Sequence, residues 1–182
     1  MAISKALYFV ALVPPPAVKE EVLEMKKEIK NRFGAAHALK LPAHITLIPP
    51  FWLEQEQSFI DALGLTIQKI KSFSVELKDF GHFGQRVIFL NVEDHEPIRE
   101  LHQILLKSMA EFLPGNKTSK IHPHITIATR DLTREKFSLV WEEFKNRPYQ
   151  AQFKCTALTL FKHNGKTWDI LEDYSFSGKE DF

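Results

Sequence analysis

Two short stretches carry residue types suited to acid–base chemistry: Leu41-Pro-Ala-His44-Ile-Thr46-Leu-Ile and Pro123-His124-Ile-Thr126-Ile-Ala. On an extended strand alternate side chains share a face, so His44 and Thr46 point one way while Ile45 and Leu47 point into a core. His124 and Thr126 repeat the arrangement against Ile125 and Ile127. Two such strands facing each other would gather two imidazoles and two hydroxyls around one small cavity. A neutral imidazole can take a proton from an attacking water or alcohol, and a protonated one can give a proton to a departing oxygen. Threonine hydroxyls can donate hydrogen bonds to non-bridging phosphate oxygens, where charge builds in the transition state. The set suits phosphodiester hydrolysis or transesterification, calls for no metal, and leaves open which histidine is the base.

The elements that must position these residues follow from hydrophobic spacing. Ala6 to Val13 reads as a buried strand, stopped by Pro14, Pro15 and Pro16. Val18, Val22, Met25 and Ile29 give helical spacing up to Phe33, with Gly34 as the stop. Leu41 to Ile48 is the next strand, ended by Pro49-Pro50; Glu54 to Lys71 is a helix, and residues 73–78 alternate as a half-buried strand. The order then repeats. Arg86 to Val92 is a strand, Pro97 to Phe112 a helix, Pro114-Gly115-Asn116 a turn, and Pro123 to Thr129 a strand. Arg134 to Lys145 is a helix, Gln152 to Phe161 a strand, Asn164-Gly165 a hairpin turn, and Thr167 to Phe176 the closing strand. Both central histidines occupy the same point of a β-α-β-α-β order, which an internal duplication explains, with pseudo-repeats at about 5–80 and 85–176. No Ser/Gly-rich linker separates them, so the expectation is a single bilobal domain over 1–182.

A hydrophobic share of 44% with 26% charged residues fits a folded chain, and a formal net charge of +1 argues against strong non-specific binding to nucleic acid or anionic membrane. A small anionic substrate stays open, because a site needs only local positive charge. Among the 15 phenylalanines, Phe9, Phe51 and Phe83 are candidates to stack on a nucleobase, with core filling as the competing reading. The lone Cys155 allows no internal disulfide and reads as a buried, inert thiol. Lys5 followed by the apolar run to Val13 mimics the start of a signal peptide. The three prolines and the missing small-x-small pattern favour a strand, and hence a cytoplasmic protein. No apolar run approaches the roughly 20 residues that span a bilayer. In His122-Pro-His124, two histidines two apart can bind a metal with His44 or His163, but no Cys, Asp or Glu lies among them. His37, His95 and His102 read as surface residues, and His82 as part of a turn that can border the cleft. Lys154, Lys162, His163 and Lys166 can guide a phosphate chain or form a solvated face.

The paired H-I-T-L and H-I-T-I motifs resemble the two H-x-T-x motifs of the two-histidine phosphoesterase superfamily, which includes the 2'-5' RNA ligase-like (LigT-like) proteins and cyclic phosphodiesterases. Leu47-Ile-Pro-Pro-Phe51, Thr129-Arg-Asp-Leu and the opening Tyr8-Phe9-Val-Ala11-Leu-Val-Pro-Pro are similar to the same family. The resemblance implies an α+β fold in which two antiparallel sheets flank a central cleft, with helices on the outer faces. It also implies a catalytic pair, His44 and His124, with Thr46 and Thr126 holding the phosphate and no cofactor. The activity implied is opening of 2',3'-cyclic phosphates of RNA or nucleotides to 2'-phosphates, with ATP-independent 2'-5' ligation as the reverse reaction. The expected partner is RNA or a nucleotide with a cyclic phosphate, with no membrane or protein partner, and the expected state is a monomer. Ligase-like members often place a basic residue directly after a five-residue second motif; here Arg130 falls one position later. By strand alternation it would share a face with His124, Thr126 and Ala128. Two rival expectations are a non-catalytic RNA- or nucleotide-binding module and a metallohydrolase built on His44, His122 and His124.

Overall fold

A computed structural model of the chain describes residues 5–113, 115 and 120–177; the turn expected at Pro114 and Asn116 lies outside them. The described residues form strands β1 (Ala6–Leu12), β2 (Ile45–Leu53), β3 (Phe73–Phe83), β4 (Val87–Val92), β5 (His124–Thr129), β6 (Gln150–Cys155), β7 (Ala157–His163) and β8 (Trp168–Ser175). Four helices join them: α1 (Pro16–Phe33), α2 (Glu56–Ile67), α3 (Glu96–Ser108) and α4 (Arg134–Phe144). Proline in the first turn starts α1, where a missing N–H costs nothing, and Gly34 ends it at φ 71° in the left-handed region. Among these helices none is long and apolar enough to cross a membrane.

The strands form two four-stranded antiparallel sheets, ordered β2-β1-β7-β8 and β5-β4-β3-β6. The fold is α+β, as expected. The sheets, however, do not follow the repeat: β3 leaves the first repeat to pair with β4, and β7 and β8 return to β1. The single strand expected at Gln152 to Phe161 is two strands in different sheets, β6 and β7, joined through Thr156 alone. The strand after His44 also runs on through Pro49 and Pro50 to Leu53. It tolerates two prolines because β2 is an edge strand and Pro49-Pro50 fall in a register shift, between the pairs Val10–Ile48 and Tyr8–Phe51.

One continuous apolar core takes Tyr8, Val10 and Leu12 from β1, Val22 and Ile29 from α1, and Ile88 and Leu90 from β4. A second, small cluster of Phe9, Ala11 and Phe161 occupies the opposite face of the first sheet. Both strands that carry the motifs are bulged directly after the threonine. On β2, Thr46 opposes Ala11 while Ile48 opposes Val10. On β5, Thr126 opposes Phe89 while Ala128 opposes Ile88. The extra residue inverts the alternation, so Leu47-Ile48 and Ile127-Ala128 are consecutive buried pairs.

Candidate active site

His44, immediately before β2, and His124, the first residue of β5, are held in the same way. Nδ1 of His44 lies 2.8 Å from the carbonyl oxygen of Pro42, and Nδ1 of His124 lies 2.6 Å from that of His122. A carbonyl only accepts, so Nδ1 donates its hydrogen in both and Nε2 is left for chemistry. Each ring also rests against a pair of phenylalanines whose centroids are 4.4 Å apart. His44 is 5.4 Å from Phe9 and 6.3 Å from Phe161; His124 is 5.0 Å from Phe83 and 4.9 Å from Phe89. Carbonyl and rings together fix tautomer and tilt.

Burial lowers the pKa of His44 from 6.5 to about 4, and the charges of Lys26 and His124 push it in the same direction. His124 is lowered as well, first by burial and then by His95. Both imidazoles are therefore neutral at rest, and an arriving phosphate would favour their charged forms.

A cavity of about 330 Å³ lies beside His44 and is walled by both sheets: Thr126 and Thr129 come from β5, and His163 and Trp168 from β7 and β8. His37 and Lys40 of a short 3-10 turn (His37–Lys40) line it too, as does Arg130. Arg130 reaches the cavity by a route that alternation does not give. The bulge turns Ala128 into the core and Thr129 toward the cavity, and Arg130 follows at φ 63° beyond the strand's end. Asp131 anchors this corner: Oδ2 accepts the backbone N–H groups of Ala36 and His37 at 2.7 and 2.9 Å.

The three phenylalanine candidates separate. Phe83, 39% exposed, stands edge-on to His122 and His124 and keeps a free face. Phe9 is buried under His44 and between Phe161 and Trp168, so it supports the imidazole and has no face for a base. Phe51 packs against Tyr8 and Phe59 on the core side, away from the histidines. His82 likewise turns away from the cavity, against Phe137 and Trp141 of α4. Of the basic set near the last hairpin, His163 and Lys166 line the cavity, Lys162 pairs with Glu56 together with Tyr8, and Lys154 lies on β6 in the other sheet. His102 is buried, contrary to the surface placement expected: Nδ1 lies 2.8 Å from the carbonyl oxygen of Leu47, the group left over by the β2 bulge. Cys155 is buried, and burial pushes its thiol up to about 12, so it is no nucleophile at neutral pH.

Lys26 is the residue that sequence reasoning missed. It is 4% exposed, lines the cavity, and donates from Nζ to the carbonyl oxygen of Leu41 at 2.9 Å. Burial lowers its pKa from 10.5 to about 8. The signal was present, since Val18, Val22, Lys26 and Ile29 form one stripe of α1 and the lysine interrupts an otherwise apolar face. Trp168, likewise unforeseen, packs 4.7 Å from Phe9 and 5.0 Å from His163.

An α+β chain with two antiparallel sheets, paired bulged strands and a cavity lined with cations belongs to a recognisable class, and comparisons with known proteins name it. The family model of the 2'-5' RNA ligase superfamily matches residues 14–167, and the chain belongs to that superfamily. It is 24% identical over 180 residues to "Putative phosphoesterase GK0864" of Geobacillus kaustophilus, covering 95% of this chain and 98% of that protein. Its fold is similar to that of TT0787 of Thermus thermophilus, with TM-score 0.67, 21% identity, and coverage of 96% and 100% of the two chains. It is also similar to E. coli LigT complexed with 3'-AMP, with TM-score 0.66, 19% identity, and the same coverage. The chain is thus an enzyme of the phosphoesterase and RNA ligase kind.

Proposed function

We propose that the chain opens 2',3'-cyclic phosphates of RNA or nucleotides to 2'-phosphates without a metal, and that it can also join RNA ends through a 2'-5' linkage. One Nε2 takes a proton from water as its oxygen attacks phosphorus. The bond from phosphorus to the 3' oxygen breaks, and the second imidazole supplies the proton that oxygen needs. Thr46 and Thr126 donate to the non-bridging oxygens, and Arg130 adds charge where the phosphate becomes more negative. Ligation uses the same groups with the 5'-hydroxyl of a second RNA in place of water: its oxygen bonds to phosphorus as the bond to the 3' oxygen breaks, driven by strain in the cyclic ester. The single observation that carries this reading is the matched anchoring of His44 and His124, which leaves both Nε2 atoms available. The binding of 3'-AMP by LigT supports a nucleotide substrate.

The test is a panel of 2',3'-cyclic nucleotides and cyclic-phosphate-ended RNAs in EDTA, with H44A and H124A as controls. Turnover in EDTA that either variant abolishes is expected. Full activity in either variant, or inhibition by the chelator, would overturn the mechanism.

A further inference from the structure

We infer that Arg86 and Arg134, continuing from Arg130 at the reacting phosphate, form a track for backbone phosphates leading away from the paired histidines, which makes the preferred substrate a single-stranded RNA ending in a cyclic phosphate rather than a mononucleotide. This rests on the proposed function for the position of the reacting phosphate. The cavity beside His44 does not end at Arg130. Thr129 and Arg130 also line a second cavity, of about 880 Å³, whose far walls carry Arg86 and Arg134. Among the described residues, no aspartate or glutamate lines either one.

Among the described residues none of these three arginines takes part in an ion pair, whereas Arg32 and Arg147 are each paired with both Glu28 and Glu143. In a chain of formal net charge +1, such a concentration of positive charge repels itself and calls for an anionic ligand. A cyclic mononucleotide brings one negative charge, which Arg130, the threonines and the imidazoles already meet, so Arg86 and Arg134 have no part of it to hold. Backbone phosphates of a longer strand would supply the rest.

Two local features fit this path. Arg130 adopts φ 63° at the junction of the two cavities, a conformation glycine would take at no cost, so the side chain is kept there despite strain. The β3–β4 hairpin carries Phe83 beside His124 and, three residues on, Arg86 in the second cavity. A base on the free face of Phe83 and a phosphate on Arg86 would be neighbouring parts of one strand.

The experiment compares wild type with R86Q/R134Q, and with R86K/R134K to keep the charge. One arm measures kcat/KM on a 2',3'-cyclic mononucleotide and on a hexanucleotide ending in a cyclic phosphate. The other measures binding of a 3'-phosphate-ended RNA hexamer by fluorescence anisotropy across a salt series. In R86Q/R134Q, kcat/KM for the hexamer should fall at least tenfold while that for the mononucleotide stays within about twofold, with the lysine variant in between. The slope of log Kd against log salt should shrink by about 1.4, the value for two lost phosphate contacts on a single strand. An equal effect on both substrates, or an unchanged salt slope, would overturn the track. Absence of turnover by wild type on either substrate would instead count against the proposed function, and the salt slope would still decide the track.

Discussion

The Nδ1 atom of His44 lies 2.8 Å from the carbonyl oxygen of Pro42, a backbone group two residues earlier. This contact selects the tautomer without any carboxylate partner; burial lowers the pKa of the ring first, the bond to Pro42 partly offsets it, and neighbouring charge adds to the lowering. His124 and His122 repeat it. Loss of either imidazole should therefore remove one proton transfer, about 10²–10⁴ in kcat. The double variant H44A/H124A should fall little further, because the two groups act in one step. Single-turnover rates on a cyclic nucleotide, with circular dichroism to confirm folding, provide the check. Independent, fully additive losses would contradict paired action.

The pH dependence follows from the same burial. With His44 near 4 and His124 also below the ordinary 6.5, one ring must be neutral and the other charged. The maximum of kcat/KM, which reports the free enzyme, should then lie below pH 6.5. Bound phosphate favours both imidazolium forms, so the kcat profile should sit at higher pH than that for kcat/KM. Coincident profiles centred above pH 7 would show that burial does not control these rings.

Lys26 offers a separate handle. Its folded pKa of about 8 lies below the 10.5 of an unperturbed lysine. The unfolded chain therefore binds the proton more tightly, unfolding takes up protons between pH 8 and 10.5, and stability should rise across that window by up to about 3 kcal/mol. K26M lacks this rise and leaves the carbonyl of Leu41 unpaired, a cost of about 1–3 kcal/mol at every pH. Its removal should also let the His44 pKa climb, moving the acid limb of kcat/KM upward. Urea melts at pH 7, 8, 9 and 10 test the first point; parallel curves for the two proteins would refute it.

At Arg130 stability and activity should separate. The residue holds φ 63°, so R130G relieves strain that R130A retains, and should be the more stable of the two by about 0.5–1 kcal/mol. Both variants lose the guanidinium and should lose comparable kcat/KM. Equal melting midpoints would show that the backbone there carries no strain.

The motifs, four helices and most strands are legible in the sequence because each rests on a local period. Val18 and Val22 mark α1, Gly34 ends it, and Asn164-Gly165 forms the turn between β7 and β8, with Gly165 at φ 99°. What escaped depends on partners distant in the chain. Nothing near Thr126 announces a bulge, so alternation put Ala128 beside the site where Thr129 belongs. His102 is flanked by Leu101 and Gln103, and its contact with the carbonyl of Leu47, 55 positions away, is not visible in those neighbours. Phe9 and Phe51 are alike as letters; opposite faces of one sheet give the first to His44 and the second to the core.

Thr156 is the only residue between β6 in one sheet and β7 in the other, and its carbonyl oxygen accepts the backbone N–H of Phe176 at 2.8 Å. One residue offers almost no slack, so neither sheet can lose its hydrogen-bond ladder without pulling on the other. The two halves of the chain are expected to melt in one cooperative step and to show similar hydrogen-exchange protection in β1 and β4. Strands that stayed within their own half of the chain would be expected to open in two stages. The crossing of β3 and β7 between halves ties the fates of the two histidines as well as their positions.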